Sequence, residues 1–210
     1  MKIYAFSGLG ADRRVFDFLK LKHELAPIDW VEHKKGESIS EYSLRLINKI
    51  DTSQEFSVLG VSFGGLIAVE VSKIINPKYT ILISSIETKE EISWIYRAVG
   101  KVGLTRFLPS SLFDPPRRIA KYLFGAFNYE LLNNILDDTN LDFTKWALNV
   151  FITWSNKEKL KNVIRIHGTK DKLIPWKSKS ESKLIDNGEH FMIVDRAAEI
   201  SEIINFEIKT

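Results

Sequence analysis

The sequence predicts an α/β architecture: an open, mostly parallel sheet of about six strands, helices on both faces, and a helical cap inserted into the chain. Three observations carry this reading. Short apolar runs alternate with helix-period segments from the N-terminus to Ser84. The rhythm then breaks: from Thr88 to about Trp154 helical patterns follow one another without a convincing strand. It resumes at Val163 and runs to the C-terminus. Alternation of this kind implies parallel strands joined by right-handed crossovers. The chain is accordingly divided into a core, 1–87 with 155–210, and a cap, 88–154.

The first strand spans Met1 to Phe6, and Asp12 is placed to cap a following helix whose apolar face holds Val15, Phe16, Phe18 and Leu19. Ile28 to His33 reads as the second strand and Ser40 to Ile50 as the next helix. Phe56 to Val61 is an apolar, β-compatible run; a helix with Leu66, Ile67, Val69, Ile74 and Ile75 follows it and ends near Asn76-Pro77. Tyr79 to Ser84 is a further buried strand. In the cap, the helical patterns are Glu90 to Val99, Pro116 to Phe124, Tyr129 to Leu136 and one from Asp142 to Trp154, punctuated by Pro109, Pro115-Pro116 and Gly125. Val163 to Ile166 is a strand, Trp176 to Ser182 a short helix, and Lys183 to Ile185 a brief strand. A closing helix begins at Phe191 or Met192.

Composition bounds the chemistry. With 210 residues there is room for one large domain, or a domain carrying an insertion. Zero cysteines exclude disulfides, a thiol nucleophile and thiolate metal sites. A net charge of +3 is too weak for a nucleic-acid footprint. No run approaches eighteen apolar residues, so no membrane span is expected, and Lys2 to Phe6 reads as a buried strand and not a signal peptide. A cytoplasmic location is expected. No His/Asp/Glu spacing resembles a metal site, and Gly8-Leu9-Gly10 alone is too weak for a nucleotide loop, so no cofactor is expected.

The chemistry centres on Gly60-Val61-Ser62-Phe63-Gly64, where a strand turns sharply into a helix. Flanking glycines admit a serine held in a strained, left-handed-like conformation at such a turn. In an open parallel sheet, loops leaving the carboxyl ends of the strands converge on one rim, and Ser62, Asp171 and His190 all lie on such loops. A serine hydroxyl needs a base; His190 is assigned that role, with Asp171 fixing its tautomer and stabilising the imidazolium. The N–H of Phe63 is one oxyanion donor and Leu9, in the loop after the first strand, the other.

Taken together, Gly60-Val61-Ser62-Phe63-Gly64-Gly65, His167-Gly168-Thr169-Lys170-Asp171 and Gly188-Glu189-His190-Phe191 resemble the elbow, acid loop and histidine loop of the α/β-hydrolase superfamily over nearly the whole chain. The Ser, Asp, His order matches as well. The resemblance implies a small hydrolase of the carboxylesterase or thioesterase type. The chain opens at what resembles the family's third strand, so the sheet is expected to lack the usual N-terminal pair. Ser7-Gly8 stands where the oxyanion loop commonly has His-Gly.

Competing residues are weighed against this triad. His167 reads as a structural hydrogen-bonding residue, His23 and His33 as solvent-facing, and Ser84 and Ser85 as strand-end residues. Glu87 is the alternative acid. In the cap, Phe107, Phe113, Phe124, Phe127, Phe143, Trp146, Phe151 and Trp154 are divided between two roles, lining an acyl pocket or packing helix to helix. Arg97, Lys101, Arg106, Arg117, Arg118 and Lys121 make its first half basic, which favours an anionic substrate such as a thioester on an acyl carrier or is simply a solvated face. The expected activity is cleavage of a small-molecule ester or thioester through an acyl-enzyme. Two alternatives use the same fold: a ligand-binding or sensor module without turnover, and a lyase or acyltransferase.

Overall fold

The computed structural model describes residues 1–94, 96–98, 109–177 and 181–209. Six strands form one sheet: β1 (Lys2–Phe6), β2 (Glu24–Pro27), β3 (Phe56–Val61), β4 (Thr80–Ile83), β5 (Val163–Gly168) and β6 (Lys183–Ile185), in the order β2-β1-β3-β4-β5-β6. Each neighbouring pair is parallel, as expected. The chain runs from β1 out to the β2 edge, then returns past β1 to β3 and continues away from it. The direction of winding therefore reverses between β1 and β3, and the crevice outside their carboxyl ends is where such sheets bind ligands.

The pleat sorts the core into two. Tyr4, Phe6, Val58 and Leu82 face one side, where they meet Tyr42 and Leu46 of α1 (Ile39–Ile47) and the buried side chains of α2 (Phe63–Ile75). Ile3, Ala5, Leu59, Val61, Ile81, Ile83, Ile164 and Ile166 face the other, against Val15, Phe16 and the C-terminal helices. Near-continuous burial of β3 and β4 reflects a parallel sheet covered on both faces. Among the described residues between β4 and β5 are three α-helices, α3 (Arg117–Phe124), α4 (Tyr129–Asp137) and α5 (Leu141–Thr153), with a 3-10 turn at Lys89–Glu91, another at Ser110–Phe113, and helical residues 94 and 96–98. No strand occurs among the described residues of that stretch. Val99, Lys101, Arg106 and Phe107 lie outside the described residues.

Several boundaries differ from expectation for identifiable reasons. The second strand lies at Glu24–Pro27 and not at 28–33. Ile28 still donates its N–H to Ala5 O at 2.8 Å, but the backbone of Val31 is then satisfied by a side chain: Tyr42 Oη accepts from Val31 N and donates to Val31 O. Trp30 turns inward, stacking on Phe6, meeting Phe143 at a tilt and donating Nε1–H to Ala11 O. The helix after Asp12 is a single 3-10 turn, Arg13–Phe16, capped by Asp12 as expected. Its extension is pre-empted because Ser201 and Asn205 take the backbone N–H groups of Lys20 and Lys22.

Helix α1 stops at Ile47 and begins with a capping box formed by Ser38 and Glu41. Trp176 and Lys177 are not helical, and Ser178, Lys179 and Ser180 of that expected helix lie outside the described residues. The closing helix is two, α6 (Met192–Asp195) and α7 (Ala197–Glu207), broken at Arg196, where φ is −125° and ψ 30°.

Candidate active site

Ser62 sits between β3 and α2 with φ 52° and ψ −120°, a conformation that costs a non-glycine residue about 1–3 kcal/mol and persists only where the surroundings enforce it. Here they do. Ser62 N–H donates to Ile83 O, while Ser62 O accepts from Gly65 N–H at 2.9 Å and from Ser85 Oγ at 2.6 Å. A Cβ on Gly64 would collide with the carbonyl oxygens of Phe6 and Ser7, and one on Gly60 with the backbone of Gly64 and Gly65. The glycines thus allow β1, β3 and the start of α2 to close on one another, which aims the serine side chain out of the sheet.

His190 reaches this serine from the loop between β6 and α6. Its Nε2 lies 2.9 Å from Ser62 Oγ, and its Nδ1 lies 3.0 Å from Asp171 Oδ1 and 2.8 Å from Oδ2. The loop is seated on the end of β5: Lys170 N–H donates to Gly188 O and Thr169 N–H to Ile185 O. Asp171 is fully buried at its carboxylate and also accepts the N–H groups of Leu173 and Ile174 at 3.0 and 2.9 Å. Burial by itself would push this carboxyl up. Interaction with His190 and the hydrogen bond from it, with the Ile174 amide, outweigh it and hold Asp171 below the usual aspartate value of 3.8. An ionised carboxylate on Nδ1 assigns the proton to that nitrogen and leaves Nε2 free to accept one. The structure therefore brings the three expected residues into one hydrogen-bonded line.

The side on which the sequence places the oxyanion donors is built by the loop after β1. Ser7 Oγ and Trp30 Nε1 both donate to Ala11 O, Ala11 N–H to Gly8 O, and Thr139 Oγ1 to Gly10 O. These bonds hold Gly8 and Leu9 beside Ser62 and Phe63 on the wall of a cavity of about 280 Å³. Phe63 opens α2, so its N–H has no acceptor within the helix. Ser7, where a histidine is common, spends its hydroxyl on its own loop.

Beyond these groups the cavity is apolar. Phe124, Leu132, Ile135, Leu148 and Phe151 come from the helical stretch, and Ile193 from α6. Of the expected aromatic residues, Phe124 and Phe151 line it. Phe143 and Trp146 instead pack in tilted and edge-to-face contacts against Trp30, Tyr42 and Phe63, and Trp154 donates Nε1–H to the buried Glu70. Phe127 is 80% exposed. The aliphatic wall has no aromatic signature in the sequence; Leu132, Ile135 and Leu136 recur at helical spacing, a signal shared by cavity walls and ordinary packing.

The competitors have other partners. Glu87 is pinned by Leu160 N–H at 2.7 Å and faces Arg165 at 3.6 Å. His167 lies 2.6 Å from Ile174 O through Nε2 and is pushed down by burial, so it buttresses the Asp171 loop as a neutral ring. His33 is not simply solvent-facing: it stacks on Trp146 at 5.3 Å. Arg117 is committed to Asp114 and Asp137, and Lys121 lies over the Tyr129 ring. Among the described residues no cluster of His, Asp and Glu is arranged to hold a metal, and no helix is long and apolar enough to cross a membrane.

No family model matches the sequence, and no curated protein matches it. Solved structures do. A lipase-esterase related protein from Clostridium acetobutylicum is 17% identical and matches with a TM-score of 0.71, over 99% of this chain and 94% of its own. A bromoperoxidase from Bacillus anthracis is 14% identical, with a TM-score of 0.72 over 100% and 92% of the two chains. A thioesterase of the prodiginine biosynthetic pathway of Streptomyces coelicolor is 12% identical, with a TM-score of 0.68 over 99% and 90%.

Proposed function

The chain has the α/β-hydrolase fold, and we propose that it is a serine hydrolase cleaving carboxylic esters or thioesters with an apolar acyl group. The observation that carries this is the continuous Ser62–His190–Asp171 line at the mouth of an apolar cavity. A serine in a strained turn, a base within 2.9 Å and a buried anion behind that base have no packing explanation in common.

In the first half-reaction Ser62 Oγ attacks the substrate carbonyl carbon and His190 Nε2 takes the hydroxyl proton. The carbonyl oxygen becomes an oxyanion, held by the N–H groups of Phe63 and Leu9. As the carbon–oxygen or carbon–sulfur bond breaks, the same proton passes from Nε2 to the departing alkoxide or thiolate. Water then gives its proton to Nε2 and attacks the acyl-enzyme; collapse returns that proton to Ser62 and releases the carboxylic acid. Asp171 stays ionised throughout and stabilises the imidazolium. No cofactor enters any step. Residues 1–87 and 155–210 act as the catalytic core in this reading, and 88–154 as a cap that shapes the acyl site.

Esterases and thioesterases share this fold, and nothing at the cavity separates an oxygen from a sulfur leaving group. Arg117 and Lys121, two of the basic cap residues, are already engaged, so they lend no support to an acyl-carrier partner; a small-molecule substrate is the simpler assignment. An active-site fluorophosphonate is expected to label the protein once, at Ser62, and a series of esters and thioesters of rising acyl length to give the optimum. Labelling retained in Ser62→Ala overturns the proposal.

A further inference from the structure

We infer that Phe124 is a positioning residue for His190, tying one wall of the acyl cavity to the base; the inference rests on the serine-hydrolase reading above. The histidine loop is fastened to the end of α3 on both sides of the imidazole. Phe124 O accepts the N–H of Phe191, the residue after the histidine, at 2.9 Å. The Phe124 ring meets the imidazole edge to face, with centroids 5.6 Å apart and planes at 65°. Gly125 ends α3 in the left-handed region at φ 62°, and a Cβ there would run into the Glu189 side chain, so the helix end and the residue before the histidine are in close contact. Further along, the Asp195 carboxylate accepts the N–H groups of Phe127 and Asn128 at 2.8 and 3.0 Å. Residues 124–128 and 189–195 are thereby joined along their length.

This fastening acts where the triad's own bonds are weakest. Before reaction, the imidazole is held at Nδ1 by Asp171 and at Nε2 by Ser62. Once Ser62 carries an acyl group its hydroxyl proton is gone, and Nε2 must hold a mobile water instead. Of the contacts described, Asp171 and the Phe124 ring then remain to stop the imidazole swinging out of line. The same ring forms part of the cavity wall, so an acyl chain lying in the cavity packs against the group that steadies the base. Phe124 acts through His190 and takes no part in bond making.

The test compares acyl-enzyme breakdown with serine reactivity. Intact mass after rapid quench follows formation and decay of acyl-Ser62 from an activated ester, and a small fluorophosphonate without a chain reports the attack step. For Phe124→Ala the acyl-enzyme is expected to decay about tenfold more slowly, the scale of one lost aromatic contact, and labelling to slow by less than about threefold. Asp195→Ala, which loosens the seat and leaves the ring, moves decay in the same direction and decides the matter if Phe124→Ala does not fold. Leu46→Ala, a buried change under α1 away from the cavity, controls for general softening and is expected to alter neither rate. Wild-type decay in a folded Phe124→Ala, or the same slowing in Leu46→Ala, overturns the inference. A wild-type protein that takes neither label nor acyl group overturns the serine reading with it; label without a Phe124 effect overturns only the positioning role.

Discussion

Replacing Asp171 by asparagine tests the proposed mechanism at its most buried point. The carboxylate accepts from His190 Nδ1 and from the amides of Leu173 and Ile174, with none of its side-chain surface exposed. Asparagine has almost the same shape. Its carbonyl oxygen can keep the two amides, which directs its NH2 toward His190. A donor facing Nδ1 forces that nitrogen to accept, so the ring's proton moves to Nε2 and points at Ser62. The base is then blocked by its own proton. In a triad studied with this substitution the loss of turnover is about ten-thousandfold, about 5 kcal/mol of transition-state stabilisation, and a comparable loss is expected here. Steady-state hydrolysis of an activated ester reads it, with circular dichroism to confirm the fold. Turnover within about tenfold of wild type would refute the tautomer argument. Glu87 is no substitute, since its carboxylate is held by Leu160 and Arg165.

Two further outcomes follow from other parts of the molecule. Glu91 accepts the amides of Glu87 and Thr88 and pairs with Arg165; burial would raise its carboxyl, but Arg165 and the two amides win and hold it below 4.5. A carboxyl lowered on folding stabilises the protein above its unfolded value, and that contribution is lost as pH falls through the folded value. Glu91→Gln is therefore expected to cost about 3 kcal/mol at pH 7, read as a Tm lower by roughly 6–12 °C, with the gap to wild type closing as pH falls below 4.5 through the folded value. A gap that persists in acid would show that packing, not charge, is responsible. Leu148→Trp, which adds bulk to the cavity wall from α5, is expected to shift the acyl optimum to shorter chains by raising KM for long ones. An unchanged chain-length profile would place the acyl group elsewhere.

Much of the fold was legible because a parallel strand covered on both faces reads as a mostly apolar run, as β3 and β4 do. Ser62, Asp171 and His190 were legible for a related reason: each ends or follows a strand, and a parallel sheet delivers all such positions to one rim. The strand at Glu24–Pro27 was not. Its residues are half exposed at a sheet edge, while Ile28 to His33, with Ile28, Trp30 and Val31 among its residues, is taken out of the ladder by contacts of Tyr42 and Trp30 that cross the chain and leave no periodic mark.

The sequence alone thus determined the layering of the molecule and the identity of the nucleophile, base and acid candidates, because backbone conformation at the elbow and burial of strands are local demands on residue type. Only the tertiary structure decided which cap residues wall the cavity and which merely pack. Aromatic and aliphatic side chains satisfy both roles equally well, so Phe124 and Phe143 look alike in the chain. They differ because α3 ends against the histidine loop and α5 lies on Trp30 and Tyr42.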